Sequence, residues 1–317
     1  MPVQTTLNTV APTTYLNKTY YDRTMLEWAK AQLVYAQFGQ KRPIPRNSGK
    51  TVEFRRWTLF TPNKVTQALT EGVTPSSQSL GQSKVEATIA QYGAYVEISD
   101  LLDLTAYDPV INDSAELLGE QLGIVVDNVT RDAMIADAST QFAGGRANAN
   151  AITATDYLTV DEIRKAVRTL KGNKARRFSG NGRSGHFVCI VDPFATYDLQ
   201  SDSLWQDVSK YSNAEQIYAG EIGRLFGVVF VETTEGYVAN NSSSVPVHHS
   251  LIFGADAYGV IDVAGSGVLQ TIIKPRGSAG TADPLDQRST VGGKVMGYTA
   301  KVLNALWIID IQHAAHA

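Results

Sequence analysis

The longest periodic run of apolar residues extends from Asp108 to Ala138 and predicts a single long helix. Asp108 can cap its start, and Pro109 suits the first helical position, where the N–H that proline lacks would have no partner. At ~1.5 Å per residue, roughly 30 residues would span about 45 Å, so we expect a large surface to pack along this helix. Asp127 falls off the apolar face. That face consists of residues that recur at steps of three, four or seven: Ile111, Ala115, Leu118, Leu122, Val125, Val129 and Ala136.

Two shorter patterns also predict helices. The first runs from Met25 to Phe38 and is closed by Gly39. The second runs from Thr159 to Leu170, where Thr159 and Glu162 have the spacing of a capping box. Its expected buried stripe consists of Ile163, Ala166, Val167 and Leu170.

Alternating or continuous apolar runs of strand length occur on both sides of the long helix. A short helix is predicted at Phe194–Leu199. The mixture of helices and strands predicts an α+β fold without internal repeats. The predicted strands are Thr51–Trp57, Val85–Ile98 (one strand or a bent pair), His186–Val191, Val228–Thr233, His249–Phe253, Gly259–Val263, Gln270–Ile273 and a returning run at Val295–Ile311.

Two segments lack a core of their own. Met1–Tyr20 has little periodicity in its apolar residues and is predicted to form an extended arm. Between the strands Thr51–Trp57 and Val85–Ile98 lies a long connection dominated by Thr, Ser, Gln, Gly and Pro. Because a connection of that length is uncommon inside a compact domain, we expect a hairpin that projects from the body.

Composition narrows the class of protein. The chain has 317 residues, 43 % of them hydrophobic, so it can build a real core. A net charge of −3 argues against an obligate nucleic-acid binder. A single cysteine excludes an internal disulfide, and no apolar run approaches the roughly 20 residues that span a bilayer.

Two glycine-containing segments resemble nucleotide-binding motifs only superficially. Ser48-Gly49-Lys50-Thr51 matches the end of a phosphate loop, but Ile44 occupies the position of the required first glycine and a strand follows. The glycines at 220, 223 and 227 miss the dinucleotide spacing and precede a strand. We therefore expect tight turns there, and no cofactor.

The reactive side chains form no recognisable site. Cys189 lies among apolar residues and is expected to be an inert core side chain. His248 and His249 lack accompanying metal ligands, and His313 and His316 are expected in a solvated tail.

The carboxylates at 198, 202 and 207 are expected on the surface, without a catalytic pair. We therefore assign no catalytic, cofactor-binding or metal residue and expect a protein that is not an enzyme.

One basic run stands out in this acidic chain. It is either a solvated loop or a contact with phosphate or with an acidic partner surface. The run contains one aromatic residue, Phe178, and five cations: Lys171, Lys174, Arg176, Arg177 and Arg183.

The order of arm, helix, projecting hairpin, long helix, α/β region and returning strands resembles the major capsid proteins of tailed bacteriophages with the Hong Kong 97-like fold. Several motifs are similar in particular to the coat-protein family of N-four-like podophages. These motifs are Leu69–Pro75, Val191–Pro193 with Tyr197–Leu199, Gly220–Gly223 with Gly227, Gly254–Gly259, and Asp283–Gln287 running into Gly292–Lys294.

The resemblance implies an N-terminal arm (1–49), an extended hairpin loop (50–99) and a peripheral domain with a spine helix (100–152). It also implies an axial domain (about 153–245) and returning strands of both domains (246–317). The extended loop would lie over an adjacent subunit. Candidate contacts in that loop are Lys64, Leu69, Glu71, Gly72 and Pro75.

The function implied is a coat subunit that assembles as hexamers and pentamers into an icosahedral shell around double-stranded DNA. Expected partners are a separate scaffolding protein, a portal, the packaged DNA and, in some shells, a decoration protein; no membrane is involved. The location would be the virion capsid, after synthesis in the cytoplasm of the bacterial host. Two alternatives stay open: an encapsulin-like nanocompartment, and an α/β enzyme that uses Asp198, Asp202 or His186.

Overall fold

A computed structural model describes residues 33–45, 49–57, 60, 67–69, 71–74, 77–105, 110–179, 185–206, 221–262, 269–278 and 283–316. The expected arm, Met1–Tyr20, and most of the helix expected at Met25–Phe38 lie outside these ranges. The described end of that helix, Tyr35–Gln37, is a single 3-10 turn.

Helices and strands are interspersed along the chain. The α-helices are α1 (Asp100–Thr105), α2 (Val110–Asp137), α3 (Val160–Gly172) and α4 (Pro193–Ser201). No helix in the described ranges is long and apolar enough to cross a membrane. The strands are β1 (Gln40–Lys41), β2 (Thr51–Trp57), β3 (Gln82–Thr88), β4 (Ala90–Ser99), β5 (Ser139–Phe142), β6 (Phe187–Val191), β7 (Glu221–Leu225), β8 (Val228–Glu232), β9 (Val238–Asn240), β10 (Pro246–Phe253), β11 (Tyr258–Asp262), β12 (Gln270–Lys274), β13 (Arg288–Val302) and β14 (Ile308–His313).

A five-stranded sheet is built around β13. The order is β1-β11-β13-β12, and β4 also pairs with β13. All pairs are antiparallel except β1 with β11. Along β13, buried and half-buried residues alternate, as expected for a strand with only one face in the core.

A seven-stranded sheet has the order β5-β14-β10-β6-β8-β7, with β9 paired to β10. The central strand β6 is buried at every position, which explains its continuous apolar sequence. Helices α3 and α4 cover one face of this sheet. The run expected as one returning strand, Val295–Ile311, is therefore two: β13 ends in the first sheet at Val302, and β14 begins in the second at Ile308.

The hairpin predicted from the sequence is confirmed. Strands β2 and β3 pair antiparallel from Thr51 opposite Thr88 to Trp57 opposite Gln82. Phe54 anchors the hairpin by packing with Ile44 and Ile261. The run Val85–Ile98 is a pair of strands, since β4 leaves the hairpin and joins β13.

The long helix is confirmed as α2, although Asp108 and Pro109 lie outside the described residues. Its buried face begins as predicted, with Ala115, Leu118 and Leu122. Further along, the prediction holds only in part: Val129 is half-buried and packs against the core, Val125 is half-buried, and Ala136 is exposed. A 3.5-residue repeat drifts by about 20° per heptad on a straight helix. The residues buried in that second half are instead Val126, Asp127, Thr130 and Met134.

Asp127 is thus in the core, contrary to the sequence prediction. Its carboxylate accepts a hydrogen bond from the N–H of Ala36 at 3.1 Å, and the N–H groups of Val34 and Tyr35 also bond to it. Burial raises the pKa of Asp127 to about 6, although these three hydrogen bonds oppose that rise. Helix α2 therefore holds the 3-10 turn through a buried side chain.

Helix α3 has the predicted buried stripe but not the predicted cap. The side chain of Thr159 makes no capping bond. The N–H of Val160 instead donates to Asp202 at 3.1 Å. Glu162 is buried and accepts from Gln141 at 2.8 Å, so its carboxylate is not available to complete a capping box.

Candidate assembly interface

Part of the predicted hairpin contact lies in the described residues. Leu69, Glu71 and Gly72 lie on the connection between β2 and β3 and are exposed, Leu69 by 76 %. Lys64 and Pro75 lie outside the described residues. Because large apolar side chains gain by leaving water, exposed Leu69 favours a contact with another surface.

The basic run follows the end of α3. Lys171 lies in the last turn of the helix and Lys174 in the loop after it. Arg176 lies 3.8 Å from Asp256 and over the ring of Trp307. Arg177 lies over the ring of Phe187. All four cations are exposed, and Arg183 lies outside the described residues.

The charge of this region is more segregated than the five cations suggested. No Asp or Glu occurs from Ile163 to Val191, whereas eight Lys or Arg do. With a net charge of −3, the rest of the chain carries −3 − 8 = −11. Arg164 and Arg168 extend the basic surface back along α3, since residues four apart share a helical face. A count of acidic residues along the sequence would have found this.

His313 contradicts the expectation of a solvated tail, whereas His316 is exposed. His313 ends β14 and is fully buried. Its Nδ1 donates to the carbonyl of Ala314 at 2.8 Å, and its Nε2 accepts from the hydroxyl of Ser250 at 2.9 Å. Burial lowers the pKa of His313 to about 4. His313 is buried because β14 pairs with β10, and the spacing of residues in the sequence does not reveal this pairing.

The other C-terminal histidine and the predicted surface carboxylates also have structural partners. Nδ1 of His316 lies 2.5 Å from Asp198, and its ring stacks on Tyr157 at 3.7 Å. Asp198 is buried, so its expected surface position is wrong. Asp202 caps α3, and Asp207 lies outside the described residues.

His248 forms a hydrogen bond with Asp192. Burial alone would raise the pKa of Asp192, but hydrogen bonds from His248 and from the N–H of Ala195 outweigh it and hold that pKa below its usual range. Cys189 is fully buried, which raises the pKa of its thiol. In the described part of the chain, no three His, Cys, Asp or Glu side chains are grouped to hold a metal ion.

Two exposed apolar features were not predicted. Helix α1 has no buried residue, and it exposes three leucines at 101, 102 and 104. On the outward face of the five-stranded sheet lies an open groove of about 660 Å³, between β4, β13 and β12. Tyr95 is 71 % exposed along this groove. Exposed apolar surface of this kind is typical of interfaces between subunits.

A family model described as phage capsid protein matches residues 126–264, which include the C-terminal part of α2 from Val126 onward and the strands β5 to β11. A comparison with curated proteins finds no match.

Solved structures match over nearly the whole chain. The capsid of Ralstonia phage GP4 has 14 % identity and a TM-score of 0.68, covering 90 % of this chain and 89 % of that one. The capsid of cyanophage P-SCSP1u has 16 % identity and a TM-score of 0.64, again covering 90 % and 89 %. The virus-like particle from Pyrococcus furiosus has 11 % identity and a TM-score of 0.52, covering 93 % and 99 %.

These findings define the class of fold: the chain has the fold of phage capsids, and part of it matches the phage capsid family model. Its fold is that of the major capsid proteins of tailed phages, the Hong Kong 97-like fold. The resemblance drawn from the sequence is confirmed at this level, while no finding distinguishes the N-four-like coat proteins from other members of the class.

Proposed function

We propose that this chain is the major coat subunit of a tailed phage, assembling as hexamers and pentamers into an icosahedral shell around double-stranded DNA. The observation that supports this most strongly is the similarity of fold to the Ralstonia phage capsid over 90 % of the chain. A structural subunit of this kind carries out no catalysis. The proposed location is the virion capsid, after synthesis in the bacterial cytoplasm.

The proposed division of the chain is the one expected from the sequence: arm (1–49), extended loop (50–99), peripheral domain (100–152), axial domain (about 153–245) and returning strands (246–317). The pairing of β4 with β13 ties the end of the extended loop to the returning strands. The hairpin β2–β3 forms a sheet of its own, which suits a loop that lies over an adjacent subunit.

The proposed contacts of that loop are Lys64, Leu69, Glu71, Gly72 and Pro75. Ordering a loop costs roughly 1–2 kcal/mol per residue of backbone. A monomer offers little to offset this cost, because Leu69 and Val73 are exposed in it. Burial of these side chains on a neighbour would supply about 25 cal/mol per Å² of apolar surface.

Deletion of Pro62–Ser83 tests this assignment. The subunit should keep its two larger sheets, because the segment removed contributes only the first two residues of β3, yet shells should not close. Circular dichroism checks folding, and light scattering with negative-stain microscopy checks assembly. A milder double variant, Leu69→Ser with Val73→Ser, is compared with Leu306→Ser, which removes an exposed leucine elsewhere. Normal shells from the deletion would refute the assignment.

The alternative within this fold is an encapsulin-like nanocompartment. The match to the Pyrococcus furiosus particle motivates it, but its TM-score of 0.52 is lower than the 0.68 of the Ralstonia phage capsid. Shells that need a separate scaffolding protein, carry a portal and fill with DNA support the coat-protein proposal. Small protein-filled shells formed by this chain alone would support the nanocompartment.

A further inference from the structure

The groove on the five-stranded sheet is lined by apolar residues and is deepest at its centre, where two glycines lie. Ile272 of β12 lies opposite Gly292 of β13, and Gly292 lies opposite Tyr95 of β4. In the next row, Lys294 lies opposite Gly93. Because the two glycines lack side chains, Ile272 and Tyr95 form walls on either side of exposed backbone.

The groove is also basic. Lys274 and Lys294 both line it, and within the described residues neither has a carboxylate within ion-pair distance. The carboxylate of Glu97, also in the groove, is already paired with Arg288 at 2.9 Å. Two ammonium groups beside an apolar floor favour an occupant that combines apolar and acidic side chains.

Helix α1 has those properties. It exposes Leu101 and Leu104 by 68 % and 76 %, and it carries Asp100 and Asp103 on the same six residues. The helix is only about 9 Å long at ~1.5 Å per residue, which suits a short groove. Asp103 is paired with Arg276, which fixes the helix beside the sheet. The helix thus forms a small apolar ridge with acidic groups.

We propose that α1 of one copy lies in the groove of a second copy. This rests on the proposed shell function. A convex apolar and acidic ridge on one copy then meets a concave apolar and basic groove on the next. Because the ridge and the groove are different surfaces of the same chain, the contact is heterologous and can repeat from subunit to subunit around a ring.

The other candidate occupant is the tip of the hairpin, which carries Leu69, Glu71 and Val73. Helix α1 is the better fit, because it offers three exposed leucines within six residues, together with Asp100, whose carboxylate forms no ion pair within the described residues. The tip offers two exposed apolar side chains and one carboxylate within the described residues.

A disulfide test distinguishes the two occupants. Leu104→Cys and Ile272→Cys are purified separately, mixed under assembly conditions and exposed to oxidised glutathione. Since each chain carries one introduced thiol and Cys189 is fully buried, a linked dimer reports a contact between copies. We expect at least about tenfold more dimer than from Leu306→Cys mixed with Ile272→Cys, corresponding to a preference of roughly 1.4 kcal/mol. Each variant oxidised alone gives the background.

An assembly test uses Leu101→Ser with Leu104→Ser. We expect an unchanged circular dichroism spectrum, because neither side chain is buried, and a large loss of assembled particles relative to Leu306→Ser. Normal particles from this variant, together with no dimer above background from the mixture of Leu104→Cys and Ile272→Cys, would overturn the proposal while leaving the shell function intact. A disulfide from Val73→Cys to Ile272→Cys instead would assign the groove to the hairpin. Failure of the unaltered protein to assemble under any condition would count against the shell function itself.

Discussion

The carboxylate of Asp127 lies in the core, where its hydrogen bonds come from backbone N–H groups and not from a cationic side chain. One of its oxygens has no hydrogen-bond partner among the described residues. A folded-state pKa of about 6 lies above the ordinary value near 3.9. The folded state therefore binds more protons than the unfolded state between about pH 4 and pH 6. This group contributes least to stability above pH 6 and more as the pH falls through that window.

We predict that Asp127→Asn removes this pH dependence. As the pH falls from 7 to 4, the original protein should gain free energy of unfolding relative to the variant, by up to about 3 kcal/mol for a shift of roughly two pKa units. Urea unfolding of dilute, unassembled subunits at several pH values measures the difference. Both proteins carry His313, whose lowered pKa acts in the opposite direction, so its contribution cancels. A constant difference across this range would contradict the assigned pKa.

Sequence patterns could not place Asp127 or His313. Charge predicts an exposed side chain, and only the tertiary structure shows that backbone N–H groups or a neighbouring hydroxyl satisfy it. Cys189 was placed correctly because an apolar strand around a thiol already implies burial. Residue-level prediction therefore held for Cys189 and for the first half of the buried face of α2, and not for Val125, Ala136 or polar groups bonded across long sequence distances.

Among the elements, those with one strong period were predictable. Helices α2 and α3, the hairpin and strands β6 and β8 follow directly from apolar spacing. The division of the last run into β13 and β14 was not predictable, because both strands have buried positions and the apolar pattern continues across the break. The leucines of α1 had no predictable role, since three leucines in six residues indicate burial within a monomer.

The structure explains why the last residue of the motif Gly254–Gly259 is a glycine. A Cβ on Gly259 would lie 2.8 Å from the ring of Phe54, the residue that anchors the hairpin. Ordinary carbon contacts are about 3.5–4.0 Å. The glycine therefore allows the base of the hairpin to dock closely on β11.

We predict that Gly259→Ala displaces the ring of Phe54 and loosens the hairpin without unfolding the subunit. Hydrogen exchange should accelerate in Thr51–Trp57 and Gln82–Thr88, and the yield of shells should fall. The destabilisation should be about 1–3 kcal/mol, as for overpacked sites. Gly172→Ala is the control, because its Cβ would meet open space. Unchanged exchange in the hairpin would show that it does not depend on this contact.

At the scale of the whole molecule, the two large sheets share one core. The cluster that includes Leu118, Leu122 and Met134 of α2 also contains Val188 and Ile190 of the second sheet. Helix α2 therefore joins both sheets through buried side chains. A force applied at one sheet is transmitted to the other through packed atoms.

The basic surface gives a prediction at this scale. We propose that Lys171, Lys174, Arg176, Arg177 and Arg183 contact phosphate groups of packaged DNA, because eight cations occur without an intervening carboxylate in a chain that is otherwise acidic. Arg176→Ala with Arg177→Ala should reduce retention of nucleic acid by purified shells and weaken its dependence on salt.

A matched control is Lys41→Ala with Arg42→Ala. This is another adjacent basic pair, and Arg42 lies over the ring of Phe54 as Arg177 lies over Phe187. Retention is measured by absorbance and gel analysis of particles over a salt series. Equal retention by both double variants and the original protein would refute a phosphate contact at this surface.

The single thiol at the centre of β6 has a consequence for the proposed shell. With one cysteine per chain, fully buried in the second sheet, subunits have no accessible thiol with which to form a bond to a neighbour. Disulfide bonds between subunits therefore do not contribute to the proposed lattice. Its stability should be the same in the reducing interior of a host and in oxygenated surroundings, and thiol reagents should leave an intact shell unchanged.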